Sequence, residues 1–280
     1  MRVALIQIDG KMPNLALLKL SAWHKKRGDE VVYIDLSSFE FDRLYGSKIF
    51  MGGPGYDLKS TLPDDIEHEV PDYEQFKMDH SVGFTSRGCI RDCGFCIVRE
   101  KEGTIHETAD PSEFVKHDKV ILMDNNFLAT PKWKEKLEWF IERKIKVSFN
   151  SGLDIRLINE ENAKLLKKVK AYDWKFKRRT FYFSFDDPAL EPIVKEKLTL
   201  LKNVGIKGSS ILVYVLVGYN TTIDQDLKRV KLLVDEGCIP FVMVFNNRKD
   251  DLELRKLARW TNKRYYRVIP WETYRERNRT

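Results

Sequence analysis

Between Val82 and Asn262 the chain alternates six short apolar runs with polar breaks and amphipathic stretches, in the manner of six strand–helix units. The apolar runs are Val82–Thr85, Val120–Met123, Val147–Phe149, Phe181–Phe185, Ile211–Val217 and Phe241–Phe245, too short for helices and bounded by turn residues, so they read as strands. Apolar residues recur at helical spacing in Lys132–Arg143, Glu160–Val169, Pro192–Asn203, Asp224–Glu236 and Leu252–Asn262. A helix that returns the chain to the same end of a sheet makes neighbouring strands parallel, so the expectation is an α/β fold whose sheet curls into a full or partial barrel with helices outside. Several strands end in polar residues, namely Asp124-Asn125-Asn126, Asn150, Asp186-Asp187, Tyr219-Asn220 and Asn246-Asn247. In barrels of this type chemistry collects at the C-terminal strand ends. Taken singly, each of these residues is also an ordinary turn or cap residue.

Upstream, Arg2–Ile8 and Val31–Leu36 read as strands around an apolar helix over Leu15–Lys26 that Gly28 ends, and Lys48–Asp57 reads as a third strand running into a turn at Gly52-Gly53-Pro54-Gly55. These predict a small Rossmann-like α/β domain over residues 1–76, closed by a linker at Pro71-Asp72-Tyr73. The (βα)6 domain follows over 77–250 and a basic C-terminal helix and tail over 251–280.

The net charge of +7 is uneven: residues 254–280 hold nine Lys/Arg against two acids, and the rest of the chain is balanced. The tail is either a solvated terminus or a contact surface for an anionic partner. Lys164, Lys167, Lys168, Lys170, Lys175, Lys177, Arg178 and Arg179, interleaved with Trp174 and Phe176, form a second basic cluster. It reads as a solvated helix face or, with the tail, as a surface for RNA or DNA. No apolar run nears the roughly 20 residues that span a bilayer, and the opening run turns acidic at Asp9, so a cytoplasmic protein without membrane contact is expected.

Cys89, Cys93 and Cys96 fall within eight residues, and the fourth cysteine, Cys238, is far away. That crowding disfavours a disulfide framework and suits a reduced compartment. A closed zinc site wants four ligands, and His106 is the one candidate to complete it. Three thiolates also suit a [4Fe-4S] cube held at three corners, with its fourth iron open to an outside ligand. Gly88 and Gly94 would let the backbone fold round such a group, and Arg87 and Arg91 would offset its charge.

The C-x-x-x-C-x-x-C spacing, with Phe95 before the last cysteine and a strand just ahead, resembles the radical S-adenosylmethionine (radical SAM) superfamily. The resemblance covers about residues 81–247 and implies a partial (βα)6 TIM-like barrel. It implies an enzyme in which Cys89, Cys93 and Cys96 ligate a [4Fe-4S] cluster and S-adenosylmethionine chelates the fourth iron. An external one-electron reductant would drive cleavage to a 5′-deoxyadenosyl radical that abstracts hydrogen from an unidentified substrate. By position, Phe95 would lie near the adenine, and Asp124 and Asn125 would stand where family members meet the methionyl amine. Asn150, Asp154, Ser184 and Asp186 would reach the ribose or carboxylate, and Gly218 would open the segment lining the adenine pocket.

The first domain resembles a shortened, degenerate cobalamin-binding domain. Asp9–Pro13 stands where family members carry a cobalt-ligating histidine and offers none, so cobalamin is not expected. The contrasting reading is a non-catalytic protein whose cysteine loop holds zinc or a cluster and whose basic surfaces bind nucleic acid.

Overall fold

The computed structural model describes residues 1–10, 13–33, 40–47, 65–247 and 250–274. The chain begins with β1 (Arg2–Gln7), α1 (Leu15–Lys26), β2 (Glu30–Tyr33), β3 (Arg43–Ser47), β4 (Ser81–Gly83) and β5 (Ser86–Arg87). Next come α2 (Val98–Glu102), β6 (His106–Glu107), α3 (Pro111–Phe114), β7 (Lys119–Leu122), α4 (Trp133–Glu142), β8 (Lys146–Ser148), α5 (Glu160–Lys168) and β9 (Lys170–Ala171). The chain then runs through β10 (Phe181–Ser184), α6 (Glu191–Asn203), β11 (Ile211–Val217), α7 (Ile223–Asp235), β12 (Ile239–Val244) and α8 (Leu252–Asn262). The protein is α/β with parallel sheets, as the alternating pattern requires. Among the described residues no helix is long and apolar enough to cross a membrane.

Two compact units divide the chain: Met1–Thr85 with Thr108–Ile121, and Ser86–Glu107 with Leu122–Thr280. In the first, β1 is flanked by β2 and β3, both parallel to it. The Asn14 side chain caps α1 by accepting the Ala16 N–H at 2.9 Å, and Gly28 at φ +80° ends the helix region as expected. Leu17 and Leu20 of α1 pack on Val3 and Leu5 of β1 with Tyr45 and Ile66. The third strand differs from expectation, since it occupies Arg43–Ser47; Lys48–Asp57, with its Gly/Pro turn, lies outside the described residues. Tyr45 explains the shift, because a residue from this segment fills the core.

The expected linker at Pro71–Tyr73 is instead structural. Tyr73 is buried, its hydroxyl lies 3.1 and 3.0 Å from the carbonyl oxygens of Val82 and Phe114, and burial pushes its pKa up to about 12. Asp72 accepts from Ser21 Oγ at 2.6 Å and pairs with Lys25. These bonds join β4 and α3 to the first unit, so the boundary expected at residue 76 does not describe the compact units.

In the second unit, β10, β11 and β12 form a parallel sheet with Phe181 opposite Ile211 and Tyr214 opposite Phe241. Ile211, Val213, Val215 and Val217 alternate inward along β11 and are wholly buried, and α7 packs on β11 and β12. Each such side chain contributes roughly 1.5–3 kcal/mol. β12 ends this sheet, and Asn262 covers its outer edge by accepting the Val242 N–H at 2.8 Å and donating to the Val242 carbonyl at 2.9 Å. The two-residue β9 beside β8 has no counterpart in the sequence pattern, being too short to show a period. The segment after α8 folds back on it. Trp260 Nε1 donates to the Ile269 carbonyl at 2.8 Å, and the Lys256 ammonium lies 4.3 Å from the Trp271 ring centre. Cys238 is a core residue whose thiol burial pushes up to about 12.

Candidate metal centre and adjoining cleft

The cysteine segment is a loop closed at its base. β5 and β6 pair antiparallel, Ser86 opposite Glu107 and Arg87 opposite His106, so the loop leaves and re-enters at one point. Gly88 takes φ +73°, and a Cβ there would stand 2.2 Å from the Thr104 carbonyl oxygen, so only glycine fits. Glu102, at the end of α2, organises the return. Its carboxylate accepts the Gly88 N–H at 3.1 Å, the Arg87 guanidinium at 3.2 Å and Asn125 Nδ2 at 2.6 Å. Arg99 donates to the Cys89 carbonyl at 3.1 Å and fixes the first cysteine from behind.

Cys89 and Cys93 are half-buried and Cys96 is exposed. The Cys89 sulfur receives the Arg91 N–H at 3.3 Å and Asn126 Nδ2 at 3.5 Å. Asn126 is 3% exposed and its Oδ1 has no hydrogen-bond partner among the described residues. Burial pushes the Cys93 thiol up against the pull of Arg156, and the neighbouring Cys96 and Cys89 push it further. Among the described residues no three Cys, His, Asp or Glu side chains converge as one ion would require. A cluster asks for something else, three soft donors spread around its corners, and the donor set here is three thiols on one loop with N–H groups directed at sulfur. That chemistry fits an iron–sulfur group.

Beside the loop lies a cleft of about 310 Å³ whose lining includes Cys93, Gly94, Phe95, Arg156, Ser184, Asp186 and Tyr219–Thr221. Gly94 matters sterically, since a Cβ there would meet the Tyr219 hydroxyl at 2.5 Å. Phe95, Tyr219 and Phe245 form an edge-to-face series with ring centres 5.4 and 4.8 Å apart. Asp154, nearly buried, accepts Arg156 Nε at 2.6 Å and Arg91 Nε at 3.0 Å. Burial would raise its pKa, but the two arginines win and hold the carboxyl below the usual range. Asp186 behaves oppositely: burial raises its pKa despite the Leu216 N–H, 2.9 Å from Oδ1, and the more distant Arg229 and Arg156.

Of the residues expected to bind cofactor, the cleft brings together Phe95, Ser184 and Asp186, with Cys93 among the three cysteines. Asp154 acts at one remove, through Arg156. Asp124 is buried and accepts from Ser86 Oγ at 2.7 Å, Asn125 is bound to Glu102, and Asn150 is exposed with its carbonyl accepting from the Tyr214 hydroxyl at 3.0 Å. Gly218 sits at φ +74° with its N–H donating to Asp226 Oδ2 at 3.0 Å; these four do not line the cleft. Arg91, expected to offset cluster charge, pairs with Asp154, and Arg87 pairs with Glu102. Arg156 went unanticipated, and its signal was the Asp-x-Arg spacing with Asp154.

Beneath the cleft floor a fully buried pair spans two strands. Arg229 of α7 donates to the carbonyls of Phe185 and Leu216, each at 2.7 Å, and to Asp226 Oδ1 at 2.5 Å. It thereby ties the ends of β10 and β11 next to Asp186 and Tyr219. Compared with protein-family models, curated proteins and solved structures, the chain matches none.

Proposed function

We propose that the chain is a radical S-adenosylmethionine enzyme, with its strand–helix units read as a partial (βα)6 TIM-like barrel. Cys89, Cys93 and Cys96 would hold three irons of a [4Fe-4S] cluster, and S-adenosylmethionine would occupy the adjoining cleft. The observation carrying this reading is that the three-thiol loop forms one wall of a cleft whose other walls are the C-terminal ends of β10 and β11. When bound, the cluster and S-adenosylmethionine supply one-electron cleavage of the sulfonium and hydrogen abstraction from an unidentified substrate, with the electron from an external reductant.

The chain's own residues have separable tasks. Asp154 holds the Arg156 guanidinium at the cleft wall, where its charge favours an anionic group. Phe95 and Tyr219 offer flat apolar surface to a planar base and keep water from it. Asp186, with its pKa raised and Oδ1 held by Leu216 N–H, keeps its proton to higher pH than a free carboxyl and presents it toward the cleft beside Ser184. Cobalamin is not part of the proposal.

The test is anaerobic reconstitution with iron and sulfide. Roughly four irons and four sulfides per chain are expected, and the reduced protein should form 5′-deoxyadenosine from S-adenosylmethionine. Cys93→Ala should abolish that product. Stoichiometric zinc without sulfide would overturn the proposal.

A further inference from the structure

The other end of the same sheet carries a second feature, independent of the cluster. Between β9 and β10 the chain makes a compact hairpin. Tyr172 and Arg179 bridge antiparallel, Asp173 N donates to the Arg178 carbonyl at 2.9 Å, and Phe176 at φ 56° turns the tip. The one acid in this hairpin, Asp173, uses Oδ1 to accept the Lys177 N–H at 2.8 Å. Trp174, Lys175, Lys177, Arg178 and Arg179 are left exposed. Trp174 is 45% exposed, with the Lys175 ammonium 4.7 Å from its ring centre.

Next to the hairpin is a hollow of about 230 Å³ lined by Lys167, Arg179 and Lys207 with Phe181, Gly205, Ile206 and Ser210. Two of these cations, Lys167 and Arg179, are anchored by main-chain carbonyls, and among the described residues neither pairs with a carboxylate. Lys167 Nζ donates to the Gly205 carbonyl, and Arg179 Nη2 to the Val169 carbonyl at 2.9 Å. Their charge is therefore held in place without being neutralised.

We propose that this end of the sheet is a docking site for single-stranded nucleic acid, with a backbone phosphate in the Lys167–Arg179–Lys207 hollow and an unstacked base on Trp174. Fixed cations around a pocket suit phosphate, and an exposed indole suits the face of a base that a duplex would keep stacked. A lipid surface would find one aromatic residue and no apolar face. Phe181 begins β10 at the hollow and Asp186 follows its far end in the cleft, so the two sites are roughly 16 Å apart along the strand. The docking site would thus anchor a chain while leaving the cleft free.

The experiment uses the full-length protein as purified, without cluster, and a fluorescein-labelled oligouridylate of about 20 nucleotides, read by anisotropy from about 50 mM salt upward. Binding should weaken linearly in log–log form with salt, with a slope of about −0.7 for each phosphate neutralised. Trp174→Ala should weaken it roughly 5- to 150-fold while Trp174→Phe retains most of the affinity. The triple variant K167Q/R179Q/K207Q should flatten the slope by about 0.7, for the one phosphate the hollow holds. All these positions are exposed, and circular dichroism checks that each variant is folded. Absence of binding at low salt would overturn the proposal. So would tighter binding to a duplex of equal length, slopes unchanged in the triple variant, or sedimentation with phosphatidylserine vesicles in place of oligonucleotide binding.

Discussion

Replacing Arg229 by methionine tests whether the buried pair under the cleft holds the second unit together. The substitution keeps an unbranched apolar stem and removes only the guanidinium. It removes the cation from the Asp226 carboxylate, 0% exposed and left with the Gly218 N–H, and deprives the Phe185 and Leu216 carbonyls of donors now at 2.7 Å. Each buried carbonyl left unpaired costs about 1–3 kcal/mol, and breaking a buried ion pair about 3–5 kcal/mol. These overlap, because both count the same guanidinium, so the expected loss is about 3–5 kcal/mol in all. Against a typical total of about 5–15 kcal/mol this is a large fraction of domain stability. Urea unfolding of the cluster-free protein, followed by circular dichroism, measures it as a lower midpoint with unchanged slope. The double variant R229M/D226N removes the stranded charge, so it should be more stable than R229M alone. A loss under about 1 kcal/mol in R229M, or strict additivity in the double variant, would refute the reasoning.

Two further predictions concern the cleft. If S-adenosylmethionine occupies the cleft as proposed, Gly94→Ala should push the Tyr219 hydroxyl aside and weaken its binding measured by calorimetry, and Tyr219→Phe in the same chain should restore much of it by removing the oxygen the Cβ meets at 2.5 Å. Asp154→Asn should destabilise the protein by about 1.5–3 kcal/mol at neutral pH, since it weakens charged hydrogen bonds from Arg156 and Arg91. The folded-state pKa of Asp154 is depressed, so its contribution is complete above the unfolded value of about 3.9 and fades as pH falls through the folded one. The difference between Asp154→Asn and the native chain should therefore narrow as pH falls below about 3.9 and close once it has passed the folded value, as chemical-denaturation measurements would show. A gap that persists there would show that the ion pairs are not its source.

Much of the framework is legible in the sequence. β11 and α8 occupy the expected residues, and the other five strands fall within two residues of the predicted positions. The reason is that apolar period and length are local properties, and each of these elements buries one face. Elements stabilised by something other than period went unseen. β5 and β6 are two-residue strands set by the closure of the cysteine loop, and β9 exists because β8 offers it an edge. Pro71 and Asp72 are turn residues, so the pattern around Tyr73 reads as a linker, whereas its burial depends on carbonyls of Val82 and Phe114.

The sequence by itself determined the alternation that makes the protein α/β, the three-thiol loop, and the polar character of the strand ends, since composition and spacing carry these. Tertiary structure alone decided which polar residues serve the cleft. Asp124, Asn125 and Asp186 look alike in sequence, yet Ser86 engages the first, Glu102 engages the second, and the third is left lining the cleft with its pKa raised by burial. A hydrogen-bonding group commits to the partner that folding brings within about 3 Å, and for these residues the partners lie 30 to 38 positions away, or 23 for Asn125, beyond the reach of any local pattern.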